Sequence, residues 1–153
     1  MINDGVGAKG GSGMQEPGIP AEKVAPRDAT LKNPLALAYL GDTVWDLLTR
    51  ERLLATAARV NALHRQAVAL VNAGAQAQAL TRLEPLLTDD EQDVVRRGVN
   101  AHSRHTAPRN QDPVAYRRAT GLETLFGWLY LSGQRARVRE LFEAACPPDP
   151  ADG

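Results

Sequence analysis

The amino-acid sequence predicts an all-α fold. Apolar residues recur at intervals of three and four through most of residues 34–145, a spacing that places them on one face of a helix. Residues that commonly begin and end helices separate these segments. No segment shows the alternation of apolar and polar residues that is typical of a strand. These three observations indicate helices packed around one core.

The two ends of the chain differ from its middle in composition. Residues 1–31 are rich in glycine, proline and small polar residues and have almost no large apolar side chains, so they cannot offset the entropy lost on ordering. They are predicted to form a disordered tail, as are residues 147–153. The folded domain is therefore expected over residues 32–146, and a chain of 153 residues leaves room for one core.

The first two helices are predicted from different signals. Asn33 is a good helix cap and Pro34 suits the first helical position, and the apolar pattern that follows runs to about Leu54. Residues 58–79 are dense in alanine and carry a second helical pattern. Three polar residues interrupt it: Asn61, His64 and Gln76.

Three more helices are expected in the second half of the chain. Thr88 and Glu91 form a capping-box pattern that begins one helix, and Gly98 is placed to end it. Residues 99–118 are polar and contain two prolines, so they are predicted to be a loop with a helical turn near its end. The remaining helices are expected from Ala119 to about Gly133 and over residues 134–145.

Composition excludes several classes of protein. The 18 basic and 18 acidic side chains cancel, so any site for a polyanion must be local. Cys146 is the single cysteine, which leaves no internal disulfide and no cysteine-based metal site. No apolar run reaches the roughly 20 residues that a membrane span needs, and no signal-peptide pattern occurs. We therefore expect a soluble, cytoplasmic protein with no membrane partner.

Two acidic residues lie among apolar residues in predicted helices. Asp42 and Glu123 have leucine or valine neighbours on both sides, and a carboxylate removed from water tends to become neutral or bind a cation. If the two helices cross near Gly41 and Gly127, both carboxylates would point into one cleft, as a Mg²⁺ site requires. Asp46, one turn after Asp42, shares its face. The alternative is that each acid is a boundary residue that meets water or an arginine.

The arginine segment (residues 96–118) holds six arginines and one acid in a chain that is neutral overall. The planar guanidinium group matches phosphate oxygens, and neighbouring amides add donors to phosphate and sugar. The residues predicted to contact a nucleic-acid backbone are Arg96, Arg97, Asn100, Arg104, Arg109, Asn110 and Arg117. The alternative is a solvated loop whose charges pair with Glu84, Asp89, Asp90 and Asp93.

Four segments, in order, resemble signatures of the Mini-ribonuclease III family, short relatives of ribonuclease III that lack its double-stranded-RNA-binding domain. The family's first signature, built around LAYLGD, is similar to NPLALAYLGDTVWDLL at residues 33–48. Its N-x-LH and V-x-A-x-x-QA segment resembles NALHRQAVALVNAGAQAQAL at residues 61–80. Its RRGRNA and P-K-N stretches resemble VVRRGVNAHS and the later PRN. Its closing signature resembles YRRATGLETLFGWLYLSGQ at residues 116–134.

The resemblance covers about residues 33–143 and implies both a fold and an activity. It implies a homodimeric helical nuclease domain with a substrate valley across the two subunits. Asp42 and Glu123 match the family's signature acids, so both are expected to be catalytic ligands of Mg²⁺. The expected reaction is cleavage of double-stranded RNA to 5′-phosphate and 3′-hydroxyl ends. The expected substrate is the paired ends of the large-subunit (23S) ribosomal RNA precursor, and the sequence does not decide whether a ribosomal protein assists.

The chain also departs from related patterns. Full-length ribonucleases III have four acids at the site, whereas Ala38 and Thr120 occupy two of those positions here, which implies fewer protein ligands. Asp46 stands where the family more often has glutamate, so Asp46 and Thr120 are expected to support the metal indirectly. Val99 replaces the arginine usual in RRGRNA.

Two other functions compete with the nuclease. One is a catalytically silent RNA-binding protein on a ribonuclease III scaffold, because fold alone does not fix function. The retention of both Asp42 and Glu123 argues against it. The other is a helical interaction module, which would leave the arginine segment unexplained.

Overall fold

The computed structural model describes residues 25–30, 32–55, 59–101 and 109–147, and these ranges contain only helices, turns and loops. The helices are α1 (Pro26–Thr30), α2 (Pro34–Leu54), α3 (Val60–Leu70), α4 (Ala73–Leu83), α5 (Asp89–Asn100), α6 (Pro113–Leu131) and α7 (Arg135–Ala145), with a 3₁₀ turn at Glu84–Leu86 between α4 and α5. The predicted all-α fold is confirmed. No helix in this part of the chain is long and apolar enough to cross a membrane.

Helix α6 is the centre of the molecule, and α2, α4 and α5 pack around it. Four of its apolar side chains at helical spacing are fully buried: Leu122, Leu125, Phe126 and Leu129. Trp45 of α2 contacts Phe126 edge to face, with ring centroids 5.0 Å apart. It also contacts Phe142 of α7 at 5.1 Å, so one aromatic cluster joins three helices.

Helices α2 and α6 touch backbone to backbone at two glycines. A Cβ atom on Gly41 would lie 2.6 Å from the carbonyl carbon of Glu123 and 2.8 Å from the nitrogen of Gly127. A Cβ atom on Gly127 would lie 2.7 Å from the carbonyl carbon of Leu37. Because these neighbours are main-chain atoms, no side-chain rotation could make room for either Cβ. The crossing considered from the sequence is therefore present, with glycine required on both sides.

The alanine-rich segment forms two helices, where the sequence predicted one over residues 58–79. Helix α3 ends at Leu70 and α4 begins at Ala73. The side chain of Asn72 accepts a hydrogen bond from the Ala75 nitrogen at 2.9 Å and so caps the start of α4. The helical spacing of apolar residues continues from α3 into α4, so the sequence pattern gave no sign of the break between them. Residues 56–58 lie outside the described part of the chain.

The capping box of α5 is present, but Gly98 does not end the helix. The Thr88 hydroxyl accepts from the Glu91 nitrogen at 3.3 Å, and the Glu91 carboxylate accepts from the Thr88 nitrogen at 2.9 Å. Helix α5 continues to Asn100. A Cβ on Gly98 would lie 2.7 Å from the Thr124 Cβ, so this glycine serves close packing against α6 instead of termination.

Helix α6 begins earlier than predicted. The Asp112 side chain accepts from the Val114 nitrogen at 3.0 Å, and Pro113 occupies the first helical position. The expected loop end and the expected helix from Ala119 are therefore one helix of 19 residues. The signal was the same cap-and-proline pattern that predicted the start of α2, hidden here by the polar residues around it.

Part of the predicted N-terminal tail is folded. Helix α1 lies within residues 1–31, and its Ala29 is fully buried. Trp128 Nε1 donates to Thr30 Oγ1 at 3.0 Å, and Arg97 donates to the Thr30 carbonyl oxygen at 2.5 Å. Trp128 and Arg97 lie 98 and 67 residues from Thr30 along the chain, and composition gives no sign of these contacts. Residues 1–24, Leu31 and residues 148–153 of the predicted tails lie outside the described part of the chain.

Candidate active site

A cavity of about 380 Å³ opens between α2, α4, α6 and the turn before α6. Its polar lining includes Asp42 from α2, Gln76 from α4, and Thr120 and Glu123 from α6. Ala38, one turn before Asp42, contributes an apolar patch. The two acids predicted from the sequence are therefore brought to one cavity by helices from opposite halves of the chain.

The glycine contact between α2 and α6 determines this arrangement. Gly41 precedes Asp42 and lies against the backbone of Glu123. With a larger residue at position 41 the two helices would be pushed apart, and the carboxylates with them. The spacing of the acids is thus built into the main-chain contact.

The carboxyl group of Glu123 is partly buried, and its pKa is raised from 4.5 to about 7. Burial is the largest cause, because it disfavours the charged form, and the negative charge of Asp42 raises the pKa further. A hydrogen bond from Gln76 acts in the opposite direction. A nearby cation would favour the ionised form of this group.

Asp42 differs from the expectation of costly burial. Its side chain is exposed at the mouth of the cavity, so the argument from desolvation applies to Glu123 and not to Asp42. The sequence pattern misled because the apolar neighbours of Asp42 along α2 point to other faces of the helix. Asp42 lines the cavity, and its negative charge raises the pKa of Glu123.

Gln76 is a site residue that the sequence analysis counted only as a polar exception in an alanine-rich helix. Its side chain is 2% exposed, and its Nε2 donates to Glu123 Oε1 at 3.3 Å. The other buried residues of α4 are Ala79, Leu80 and Leu83, so Gln76 lies on the same buried stripe at helical spacing. The sequence signal that could have identified Gln76 was an amide on the otherwise apolar face of a helix.

The two residues expected to support the site indirectly differ. Thr120 lines the cavity, and its hydroxyl donates to the Tyr116 carbonyl oxygen at 3.1 Å. Asp46 does not line it and instead forms an ion pair with Arg50 Nε at 3.0 Å. In the described part of the chain no three His, Cys, Asp or Glu side chains cluster as a metal site, so Asp42 and Glu123 stand as a pair.

Three cations of the arginine segment already have protein partners. Arg96 pairs with Asp93 at 3.0 Å, and Arg118 pairs with Glu84 at 2.5 Å, as the alternative of a self-neutralised loop expects. Arg97 donates to the carbonyl oxygens of Thr30 and Lys32, so its guanidinium holds the segment before α2.

The remaining residues of the segment are more accessible. Asn100 and Arg117 line a second cavity of about 510 Å³, together with Val99, Val114 and Arg118. Arg109 and Asn110 are exposed in the turn before α6. Arg104 lies outside the described part of the chain, as do both histidines of the segment. Of the predicted contacts that are described, Asn100, Arg109, Asn110 and Arg117 therefore suit a polyanion best.

The chain matches the family model of the ribonuclease III domain over residues 35–134. This span runs from α2 through α6 and includes both acids of the cavity. The match defines the class of protein, an endoribonuclease of the ribonuclease III type.

Comparison with similar proteins identifies the family within this class. The chain is 53% identical to the Mini-ribonuclease 3 of Symbiobacterium thermophilum over 113 residues, which are 73% of this chain and 86% of that protein. It is 43% identical to the Mini-ribonuclease 3 of Thermoanaerobacter sp., covering 72% of this chain and 78% of that one. A crystal structure of a protein from Fusobacterium nucleatum aligns with a TM-score of 0.67 at 26% identity, covering 74% of this chain and 90% of that chain. The chain belongs to the Mini-ribonuclease III family.

Proposed function

We propose that the chain cleaves double-stranded RNA by magnesium-dependent hydrolysis at the cavity between α2, α4 and α6. The observation that carries this proposal is the pairing of Asp42 and Glu123 at one cavity, with the Glu123 carboxyl partly buried beside a second negative charge. Without a cation this arrangement is unfavourable, and a structural role gives no reason to keep it.

The residues present fit a magnesium ion. Mg²⁺ prefers oxygen ligands, commonly takes one or two carboxylates and keeps water in its other positions, and the cavity has room for such waters. When bound, it supplies charge that activates water and offsets the charge on the leaving oxygen. Ala38 and Thr120 add no charge to the lining, so Asp42 and Glu123 would hold the ion as a pair.

The RNA duplex would lie along the arginine segment. Arg117 and Arg109 are exposed guanidinium groups, and Asn100 and Asn110 offer uncharged donors near them. Contacts of this kind follow the shape and backbone of duplex RNA without reading many bases. The family membership supports, as the physiological substrate, the paired ends of the large-subunit ribosomal RNA precursor.

A second copy of the chain would complete the substrate surface. Seven large apolar side chains are exposed in the described part of the chain, and five of them lie on α2 and α3, including Tyr39, Leu47 and Val60. Helix α3 packs against α2 but has no fully buried residue, so its apolar side chains are at most partly covered within the described part of this chain. A face of this kind on two consecutive helices supports a homodimer.

The test uses a long, perfectly paired RNA with and without Mg²⁺. Asp42→Asn and Glu123→Gln are each expected to lower cleavage by at least a hundredfold while circular dichroism shows a folded protein. Asp46→Asn is the matched control, because it makes the same change one turn along α2 outside the cavity, and it should retain activity. Wild-type protein that binds the duplex but never cuts it would support the silent RNA-binding scaffold instead.

A further inference from the structure

Gln76 is a buried amide that the fold places against one catalytic acid. It lies in the second turn of α4 and is 2% exposed. Burying an amide without hydrogen bonds is unfavourable, so a position on the apolar stripe of a helix would ordinarily hold an alanine or leucine. The other buried positions of α4 do so, namely Ala79, Leu80 and Leu83.

The amide donates to Glu123, which lines the same cavity. Gln76 Nε2 donates to Glu123 Oε1 at 3.3 Å across the contact between α4 and α6. Helix α4 holds the donor firmly, because the Asn72 side chain caps its first turn and the Gln76 nitrogen donates to the Asn72 carbonyl oxygen at 3.0 Å. Three buried residues then fix the helix to the core.

The chemistry of an amide suits this place. A lysine or arginine would also donate to the carboxylate, but its positive charge would compete with a divalent cation for the same group. An amide occupies one carboxylate oxygen with a neutral donor and leaves both the negative charge and the second oxygen for a cation. It also limits rotation of the carboxylate about its terminal bond.

We propose that Gln76 is a positioning residue, which orients the Glu123 carboxylate for a divalent cation through the hydrogen bond from Nε2. This inference rests on the proposed magnesium-dependent function. It adds α4 to the elements that build the site. Loss of a partner that orients a metal ligand typically weakens metal binding 10- to 100-fold.

The first test is calorimetric titration of the full-length chain with MgCl₂ in the absence of RNA. Gln76→Met keeps the length and volume of the side chain but removes the donor, and it is expected to raise the Kd for Mg²⁺ about 10- to 100-fold. Gln78→Met makes the same change on the exposed face of α4 and should leave the Kd unchanged. In cleavage assays Gln76→Met should lower kcat at limiting Mg²⁺, regain it at high Mg²⁺, and keep the KM for RNA.

A second variant, Gln76→Glu, provides a test if Gln76→Met does not fold. Gln76→Glu has the same shape but replaces the donor with a third carboxylate, so it should lower the Tm without Mg²⁺ and enlarge the rise in Tm that Mg²⁺ produces. A Kd within twofold of wild type for Gln76→Met, or an unchanged Mg²⁺-induced rise for Gln76→Glu, would overturn the inference while leaving the proposed function intact. A wild-type chain that neither binds Mg²⁺ nor cuts duplex RNA would overturn both.

Discussion

The surroundings of the Glu123 carboxyl group disfavour its charged form. In the absence of a cation its pKa is about 7, because the group is buried and lies near Asp42. The unfolded chain has the ordinary value of 4.5, so the folded state binds a proton more tightly. Between these two values the free energy of unfolding falls as the pH rises, and above about pH 7 the full penalty remains.

Glu123→Gln should therefore stabilise the metal-free protein at alkaline pH. In a chelator at pH 8 the variant is expected to gain about 2 kcal/mol in unfolding free energy, or several degrees in Tm, because the neutral amide carries no ionisation penalty. At pH 5 the gain should be much smaller, because the folded wild-type carboxyl is then protonated and the pH is only slightly above the ordinary value of 4.5. Melting curves followed by circular dichroism at both pH values check this; an equal gain at the two would contradict it.

The arginines of the arginine segment divide into two kinds by their partners. Arg97 donates to two backbone carbonyl oxygens next to α1, whereas Arg117 is exposed at the second cavity. The sequence showed six similar charges and could not separate these roles, because the partners of Arg97 lie far away in the chain.

Arg117→Ala should consequently impair RNA binding, whereas Arg97→Ala should impair stability. Arg117→Ala is expected to weaken binding of duplex RNA and reduce the magnitude of the slope of log K against log salt by about one, with an unchanged Tm. Arg97→Ala should lower the Tm and leave that slope nearly as it was. Fluorescence anisotropy over a salt series measures the slope, with Arg139→Ala on α7 as the control. A slope unaffected by Arg117→Ala would place the RNA elsewhere.

At the scale of elements, the crossing of α2 and α6 links stability to the site. Gly41 and Gly127 allow main-chain contact, and the same contact determines the distance between the helices that carry the two acids. Helix packing and site geometry are therefore one structural feature at this point.

Gly41→Ala should damage both properties. The added Cβ would overlap the Glu123 backbone, so we expect a loss of about 1–3 kcal/mol in unfolding free energy and a large loss of cleavage. Gly74→Ala in α4 is the matched control, because its Cβ would meet only the Asn72 side-chain oxygen at 3.3 Å. Urea denaturation and the duplex cleavage assay provide the readouts. Full activity in Gly41→Ala would show that the helix spacing does not matter.

Two helix starts were predictable from local sequence, whereas the role of Gly98 was not. Asn33 with Pro34, and Thr88 with Glu91, act on their own first turns, so local sequence is sufficient to place them. Gly98 was wrongly predicted to end α5. A glycine is needed there because Thr124 of α6 leaves no room for a side chain. A single sequence does not contain such a distant contact, so it does not distinguish this glycine from one that ends a helix.

At the scale of the whole molecule, the sequence singled out Asp42 and Glu123 as candidate site residues but not Gln76. The two acids stood out by charge within apolar helices and by their place in the family signatures. Gln76 carries no charge, and its importance comes from the direction of its side chain in the folded chain. The same holds for α1, whose buried Ala29 is an inconspicuous residue in the sequence.

The apolar face of α2 and α3 should determine the oligomeric state. Leu47 on α2 is 51% exposed, and Leu47→Glu is expected to shift the protein from dimer to monomer, because a charge would be buried between two copies. Leu86→Glu is a close control, since Leu86 is 52% exposed but belongs to the 3₁₀ turn and not to α2 or α3. Sedimentation velocity distinguishes the two states. A wild-type monomer at micromolar concentration would contradict the proposed dimer.

The glycine contact between α2 and α6 also bears on how this domain can diverge. Because main-chain atoms determine the distance between the two helices there, substitutions elsewhere in the core can change stability with little effect on the spacing of the two acids. Stability could therefore be engineered at other core positions without redesign of the site, provided that Gly41 and Gly127 are kept.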